Sequence, residues 1–140
     1  MNNPIRIILV DDHKMVRESW KMLLENNPRF HVVADCNNGF CAIDLAKEFL
    51  PDIILVDINM TPLNGFGITE KIMELLPHIR IIGFSVSNKP RFATRMLELG
   101  AKGYLTKTSP LEEIHHAIIA VDNGELYICE EIRKHMIPLE

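Results

Sequence analysis

The stretch Ile7-Ile8-Leu9-Val10-Asp11 returns unchanged as Ile53-Ile54-Leu55-Val56-Asp57. Internal duplication does not account for it, because DHKMVRESW follows the first copy, INMTPLNGFG follows the second, and the two do not align. Chance coincidence is one reading, since Ile, Leu and Val are common in any buried strand. A second reading is physical. Four apolar residues without alternation suit a strand covered on both faces, as in a parallel sheet sandwiched by helices. An aspartate closing such a run marks the strand's carboxyl end. Two such strands side by side would bring both aspartates to one sheet edge, where open α/β sheets bind ligands.

The rest of the chain fits that frame. Its 140 residues make one domain by length, 47% hydrophobic and 24% charged, an ordinary globular composition. The net charge of −4 gives no support for direct nucleic-acid binding. The opening MNNPIRIILV runs straight into charge, unlike a secretory leader, and no stretch approaches the length of a membrane span. Cys36, Cys41 and Cys129 show no CxxC spacing and read as reduced thiols. These features lead us to expect a cytoplasmic protein.

Apolar runs predict strands near 5–10, 30–35, 52–56, 79–85 and 102–105. Helical spacing connects them. Met15, Trp20, Leu23 and Leu24 mark the first helix, Ala42, Ile43, Ala46 and Phe49 the second, and Ile68, Ile72 and Leu75 the third. Phe92, Met96 and Leu99 mark the fourth, and Ile114, Ile118 and Val121 the fifth. Ser109-Pro110-Leu111-Glu112 predicts a capping box, with Ser109 at the N-cap and Pro110 in the first helical position. Five β–α units in series predict a doubly wound five-stranded parallel sheet with five helices. The most apolar strands are the first, third and fourth, which suits the order 2-1-3-4-5. The organisation expected is a domain over 1–124, followed over 125–140 by a short extra helix or the start of a linker.

In that order Asp11, Asp12 and Asp57 converge. Two carboxylates at ~4 Å repel by about 4 kcal/mol at an effective dielectric of 20, so the group needs protons or a cation. A hard divalent ion such as Mg²⁺ suits it. Capping of the following helix by Asp11 and Asp12 is the alternative. Strand 4 ends in Ser85 and strand 5 leads to Lys107, at the same edge. A lysine and a hydroxyl there could receive the oxygens of a phosphoryl group. Singly each reads as well as an ordinary strand-end residue; together and in this order they are hard to assign to accident. His13 reads as a surface residue at a helix start. His115 and His116, adjacent on a helix, point about 100° apart and make no metal pair.

Across residues 5 to about 124 the sequence resembles the receiver domain of two-component response regulators, on the stretches ILVDDHKMVRESW, DIILVDINMTPLNGFG, IIGFSVSN and GAKGYLTKTSP. The resemblance implies a flavodoxin-like fold with Asp57 as phosphoacceptor from a sensor histidine kinase. It also implies Mg²⁺ held by Asp11, Asp12, Asp57 and the backbone carbonyl of Asn59. Ser85 would be the switch hydroxyl, Lys107 the phosphate-pairing lysine and Tyr104 the switching aromatic. Phosphorylation would then alter the face made by helix 4, strand 5 and helix 5. DDHKMVRE and GELYICEEI resemble the NarL/LuxR-type branch, which implies transcriptional output through a helix-turn-helix domain and homodimerisation on phosphorylation. The chain is then expected to be either a fragment of such a transcription factor or a single-domain regulator. The activity implied is self-phosphorylation with slow loss of phosphate, a switch rather than an enzyme, with no membrane partner. Three departures stand out: Met60-Thr61-Pro62 in place of a direct Met-Pro, Thr108 after the lysine, where the family often has a proline in a cis peptide, and Val86 after the switch serine. Val86 is larger than the Ala or Gly often found there and is expected to slow the loss of phosphate.

Three rival readings exist. A haloacid-dehalogenase-type phosphatase shares the aspartate, hydroxyl, lysine and Mg²⁺, but needs an acid two residues after its nucleophile. That position is Asn59, which cannot protonate a leaving group. A flavin mononucleotide binder needs a Ser/Thr/Gly-rich loop after strand 1, and here that loop is acidic. A receiver-like module that works without phosphate is the third, and the complete set of five site residues argues against it.

Overall fold

The computed structural model describes residues 3–136. The strands are β1 (Ile5–Val10), β2 (Phe30–Cys36), β3 (Ile53–Val56), β4 (Arg80–Ser85), β5 (Gly103–Thr106) and β6 (Tyr127–Ile128). Between and after them lie α1 (Lys14–Glu25), α2 (Gly39–Phe49), α3 (Gly65–Leu75), α4 (Pro90–Glu98), α5 (Leu111–Asp122) and α6 (Glu130–Arg133). All strand pairs are parallel, in the order β2-β1-β3-β4-β5-β6. The expected order is therefore present, extended by a sixth strand and a sixth helix. Residues 127–133 form these additions. Tyr127 and Cys129 donate backbone hydrogen bonds to the carbonyls of Lys102 and Tyr104, each at 3.0 Å.

The two IILV runs are neighbours in register: Ile7 faces Ile53 and Val10 faces Val56. All eight residues are buried, as a strand covered on both faces requires. Helical periodicity located the helices but overstated the core at some positions. Met15 is 81% exposed, and Leu23 and Leu75 are also exposed, whereas Leu24, Ile68 and Ile72 are fully buried. Trp20 lies against Phe84 edge-to-face, with centroids 4.8 Å apart. His115 and His116 diverge as expected, one against Phe30 and the other against Tyr127.

The expected capping box is not formed. Pro110 is the N-cap residue of α5, with no side-chain cap bond. Ser109 is buried instead, and its hydroxyl pairs with that of Thr106 at 3.0 Å. Its neighbour's ring, fixed near φ −65° and lacking an N–H, suits either position, so a tertiary hydroxyl partner decides the matter.

Candidate phosphoryl-transfer site

Asp11, Asp57 and Lys107 are each fixed by a backbone hydrogen bond that prolongs the sheet beyond its strands. The amide of Asp11 donates to the Cys36 carbonyl at 3.1 Å, that of Asp57 to Val10 at 2.9 Å, and that of Lys107 to Ser85 at 2.8 Å. Three strand ends are thereby locked together, and the side chains emerge at one edge.

Asp57 and Asp11 are almost wholly buried, and Asp12 is exposed. Ligand atoms of Asp11, Asp12, His13 and Asp57 all lie within 4.8 Å of one another. The Lys107 ammonium donates to Asp57 Oδ2 at 3.1 Å and also to Asp11 Oδ2. One cation thus contacts two of the three carboxylates, which leaves the cluster net negative. Oxygen donors in this number and charge fit a hard divalent cation such as Mg²⁺. Asp57 Oδ1 accepts from the Asn59 amide at 2.9 Å, which turns the chain sharply after the strand.

Ser85 is fully buried, and its Oγ accepts from Asn59 Nδ2 and from the Ser87 amide, both at 3.2 Å. Both bonds use the oxygen as acceptor, so its own proton remains to be donated. Tyr104 is also fully buried, its hydroxyl donating to the Ser87 carbonyl at 3.2 Å. Burial pushes that hydroxyl up to about 12. Gly83 makes room for the ring, because a Cβ there would stand 2.9 Å from Tyr104 Cδ2.

The structure thus brings together Asp11, Asp12, Asp57, Asn59, Ser85 and Lys107, with Tyr104 one strand-width away. The Lys107–Thr108 peptide is trans, and the cis bond among the described residues is Thr61–Pro62. Three contributions escaped sequence reasoning. Arg17 donates to the Asp11 carbonyl at 2.7 Å and pairs with Asp35 at 2.9 Å, tying α1 and β2 to the site. The Asn59 side chain, not only its backbone, reaches Ser85. His13 is the N-cap of α1, exposed as expected for a helix start, yet its Nδ1 also lies 3.2 Å from Asp11 and 3.0 Å from Asp12. Its position directly after the acidic pair was the signal for that contact; Arg17 and the Asn59 amide left none.

A parallel α/β sheet with this acid–hydroxyl–lysine edge, and with Asn59 instead of an acid two residues after the aspartate, matches the class of receiver domains. The chain belongs to the response regulator receiver domain family, which matches residues 7–119. Among curated relatives, it is 34% identical over 135 residues to the transcriptional regulatory protein DegU of Brevibacillus brevis, covering 96% of this chain and 57% of that protein. It is 37% identical over 129 residues to the nitrate/nitrite response regulator NarL of Escherichia coli K12, covering 92% and 60%. The chain therefore spans about three fifths of the length of these relatives. A LuxR-family two-component response regulator from Aurantimonas sp. SI85-9A1 superposes with a TM-score of 0.91 at 34% identity, covering 94% of both chains. The receiver domain of the putative response regulator NarL from Mycobacterium tuberculosis gives 0.84 at 27% identity, over 89% of this chain and all of that one. These likenesses place the chain in the NarL/LuxR branch. No helix among the described residues is long and apolar enough to cross a membrane.

Proposed function

We propose that this chain is a phosphorylation-driven switch in which Asp57 accepts a phosphoryl group from a phosphohistidine of a sensor histidine kinase. The observation that carries the reading is the buried Asp57 carboxylate, gripped by Lys107 at 3.1 Å beside Asp11 and Asp12. A carboxylate oxygen of Asp57 forms the bond to phosphorus as the P–N bond breaks. The electron pair returns to the imidazole nitrogen, which takes up a proton, and Asp57 becomes an acyl phosphate. Asp11, Asp12, Asp57 and the carbonyl of Asn59 would hold Mg²⁺, which supplies positive charge for the phosphoryl oxygens. Lys107 adds a second cation, already desolvated and in place. Ser85 gives its free proton to a phosphoryl oxygen and leaves Asn59 and Ser87 to do so.

That movement is the switch. Ser87 holds the Tyr104 hydroxyl, so a shift of Ser85 is felt at the face formed by α4, β5 and α5. The output is transcriptional, exerted by a helix-turn-helix domain in a longer chain and accompanied by dimerisation, as the relatives' names and greater length support. The setting is cytoplasmic, and the chemistry is slow self-phosphorylation and hydrolysis, not turnover. Intact-mass measurement after incubation with acetyl phosphate and Mg²⁺ tests this. One phosphoryl adduct is expected, absent in Asp57→Asn and absent when EDTA is present throughout. An adduct that survives in Asp57→Asn, or many phosphate esters hydrolysed per chain, would overturn it.

A further inference from the structure

The face proposed to change its partners already has one. β6 adds to the outer edge of β5, and α6 packs on β5 and α4. Cys129 and Ile132 are fully buried there. Glu113 of α5 fastens the segment from below, its Oε2 accepting from the Tyr127 hydroxyl and the Glu130 amide, both at 2.8 Å. Arg133 closes the turn on the Ile128 carbonyl at 2.8 Å.

The upper fastening differs in kind, because it joins the segment to the loop between β4 and α4. Asn88 Nδ2 donates to Glu131 Oε2 at 3.1 Å, and the His135 ring lies 3.2 Å from the same oxygen. Lys134 pairs with the other Glu131 oxygen at 3.0 Å. Asn88 sits three residues after Ser85, in the loop whose Ser87 amide holds Ser85 Oγ and whose Ser87 carbonyl holds Tyr104. An unbroken sequence of bonds therefore runs from Asp57 through Asn59, Ser85 and the loop to Glu131. The fastening is solvent-exposed, so it is weak enough to open, whereas the Glu113 fastening does not touch the loop.

We propose, on the reading of Asp57 as phosphoacceptor, that residues 127–136 form a clasp whose hold on the β4–α4 loop loosens when Asp57 is modified. The site then communicates with whatever follows in a longer chain through the Asn88–Glu131 contact, not only through the surface of α4, β5 and α5. Coupling of this kind is reciprocal. Weakening the clasp must make the site accept its phosphoryl group, or a mimic of it, more readily.

Hydrogen exchange by mass spectrometry on the whole chain tests the clasp, with the adduct mass measured on the same sample. Phosphorylation with acetyl phosphate and Mg²⁺ should speed exchange in peptides covering 127–136 by about two- to tenfold, the range one side-chain hydrogen bond is worth. Asn88 is exposed and Glu131 half-buried, both outside the apolar core, so Asn88→Ala and Glu131→Ala leave the core intact. Each should speed exchange there without phosphate and remove most of the further increase. Each should also tighten beryllofluoride binding, followed by Trp20 fluorescence, by a similar factor. A confirmed adduct with unchanged exchange over 127–136 refutes the clasp and leaves the proposed function standing. Absence of any adduct refutes both.

Discussion

Lys107 holds together charges that would otherwise drive their own strand ends apart, and replacing it by methionine should show by how much. Its ammonium lies 3.1 Å from Asp57 Oδ2 and also contacts Asp11. At an effective dielectric of 20, an ion pair at 3.1 Å is worth about 5 kcal/mol before desolvation is counted. Methionine keeps the length of the stem and removes the charge, leaving two nearly buried carboxylates unpaired. Losing one partner of a buried pair typically costs about 3–5 kcal/mol, and we expect Lys107→Met to fall in that range.

Asp57→Asn should behave differently. It forfeits the attraction to Lys107 but relieves repulsion from Asp11 and Asp12, whose ligand atoms lie within 4.8 Å. At that spacing each pair repels by about 3 kcal/mol, less for the exposed Asp12. Gain and loss nearly cancel, so Asp57→Asn should stay within about 1 kcal/mol of the parent. Added to Lys107→Met, it should recover most of the lost ~3–5 kcal/mol, because there the repulsion is relieved with no attraction left to forfeit. Urea unfolding in EDTA measures all four proteins, and thermal midpoints should follow at about 2–4 °C per kcal/mol. A Lys107→Met protein within 1 kcal/mol of the parent, or no recovery in the double variant, would refute this electrostatic account. Mg²⁺ at about ten times its dissociation constant should stabilise the parent by about 1.4 kcal/mol.

Three further expectations follow from single side chains. Gly83→Ala places a methyl 2.9 Å from the Tyr104 ring; overpacking of this kind costs about 1–3 kcal/mol, and near-ultraviolet circular dichroism should report a displaced tyrosine. Burial lowers the His115 pKa below its usual 6.5, and its Nε2 is buried without a partner. The stability it contributes is therefore present above about pH 6.5 and lost as the pH falls through the folded-state pKa. His115→Leu should flatten that part of the stability–pH curve, and an unaltered curve would assign the acid sensitivity to other groups. Val86 is 71% exposed and directly follows Ser85, and we expect its branched side chain to hinder the approach of water to a phosphorylated Asp57. Val86→Ala should speed loss of phosphate from Asp57, measured as the half-life of the adduct, and an equal half-life would rule out that screening.

Much of the fold was legible because its determinants are local. The IILV runs declare doubly covered strands through their own composition, and the helical spacing between them is local too. The site was legible one level up, since parallel strands necessarily deliver their carboxyl ends to one edge. What escaped depends on contacts distant in sequence. Ser109 has the residue type of an N-cap, but its bond to the Thr106 hydroxyl forms only once β5 and the following loop are placed. Met15 and Leu23 fit an apolar stripe, but α1 meets the sheet over a narrower strip than the spacing suggests. β6 is two residues long with mixed neighbours, too short for any periodicity to register. Its existence is decided by the open edge of β5 and by Ile132 finding a buried place.

That short strand also governs how the sheet meets other molecules of its kind. β5 is wholly buried along Gly103–Thr106, and β6 covers its outer edge. At the opposite border, β2 is broken by a register shift opposite Ile7 and Ile8 and carries His31 and Asp35. Neither border offers a long, flat ladder on which a second chain could template. A chain cut at Gly124 would lose this protection, baring an apolar strand edge together with the place left by Ile132. Such a fragment would keep every residue of the phosphoryl site and still be prone to aggregate through its sheet.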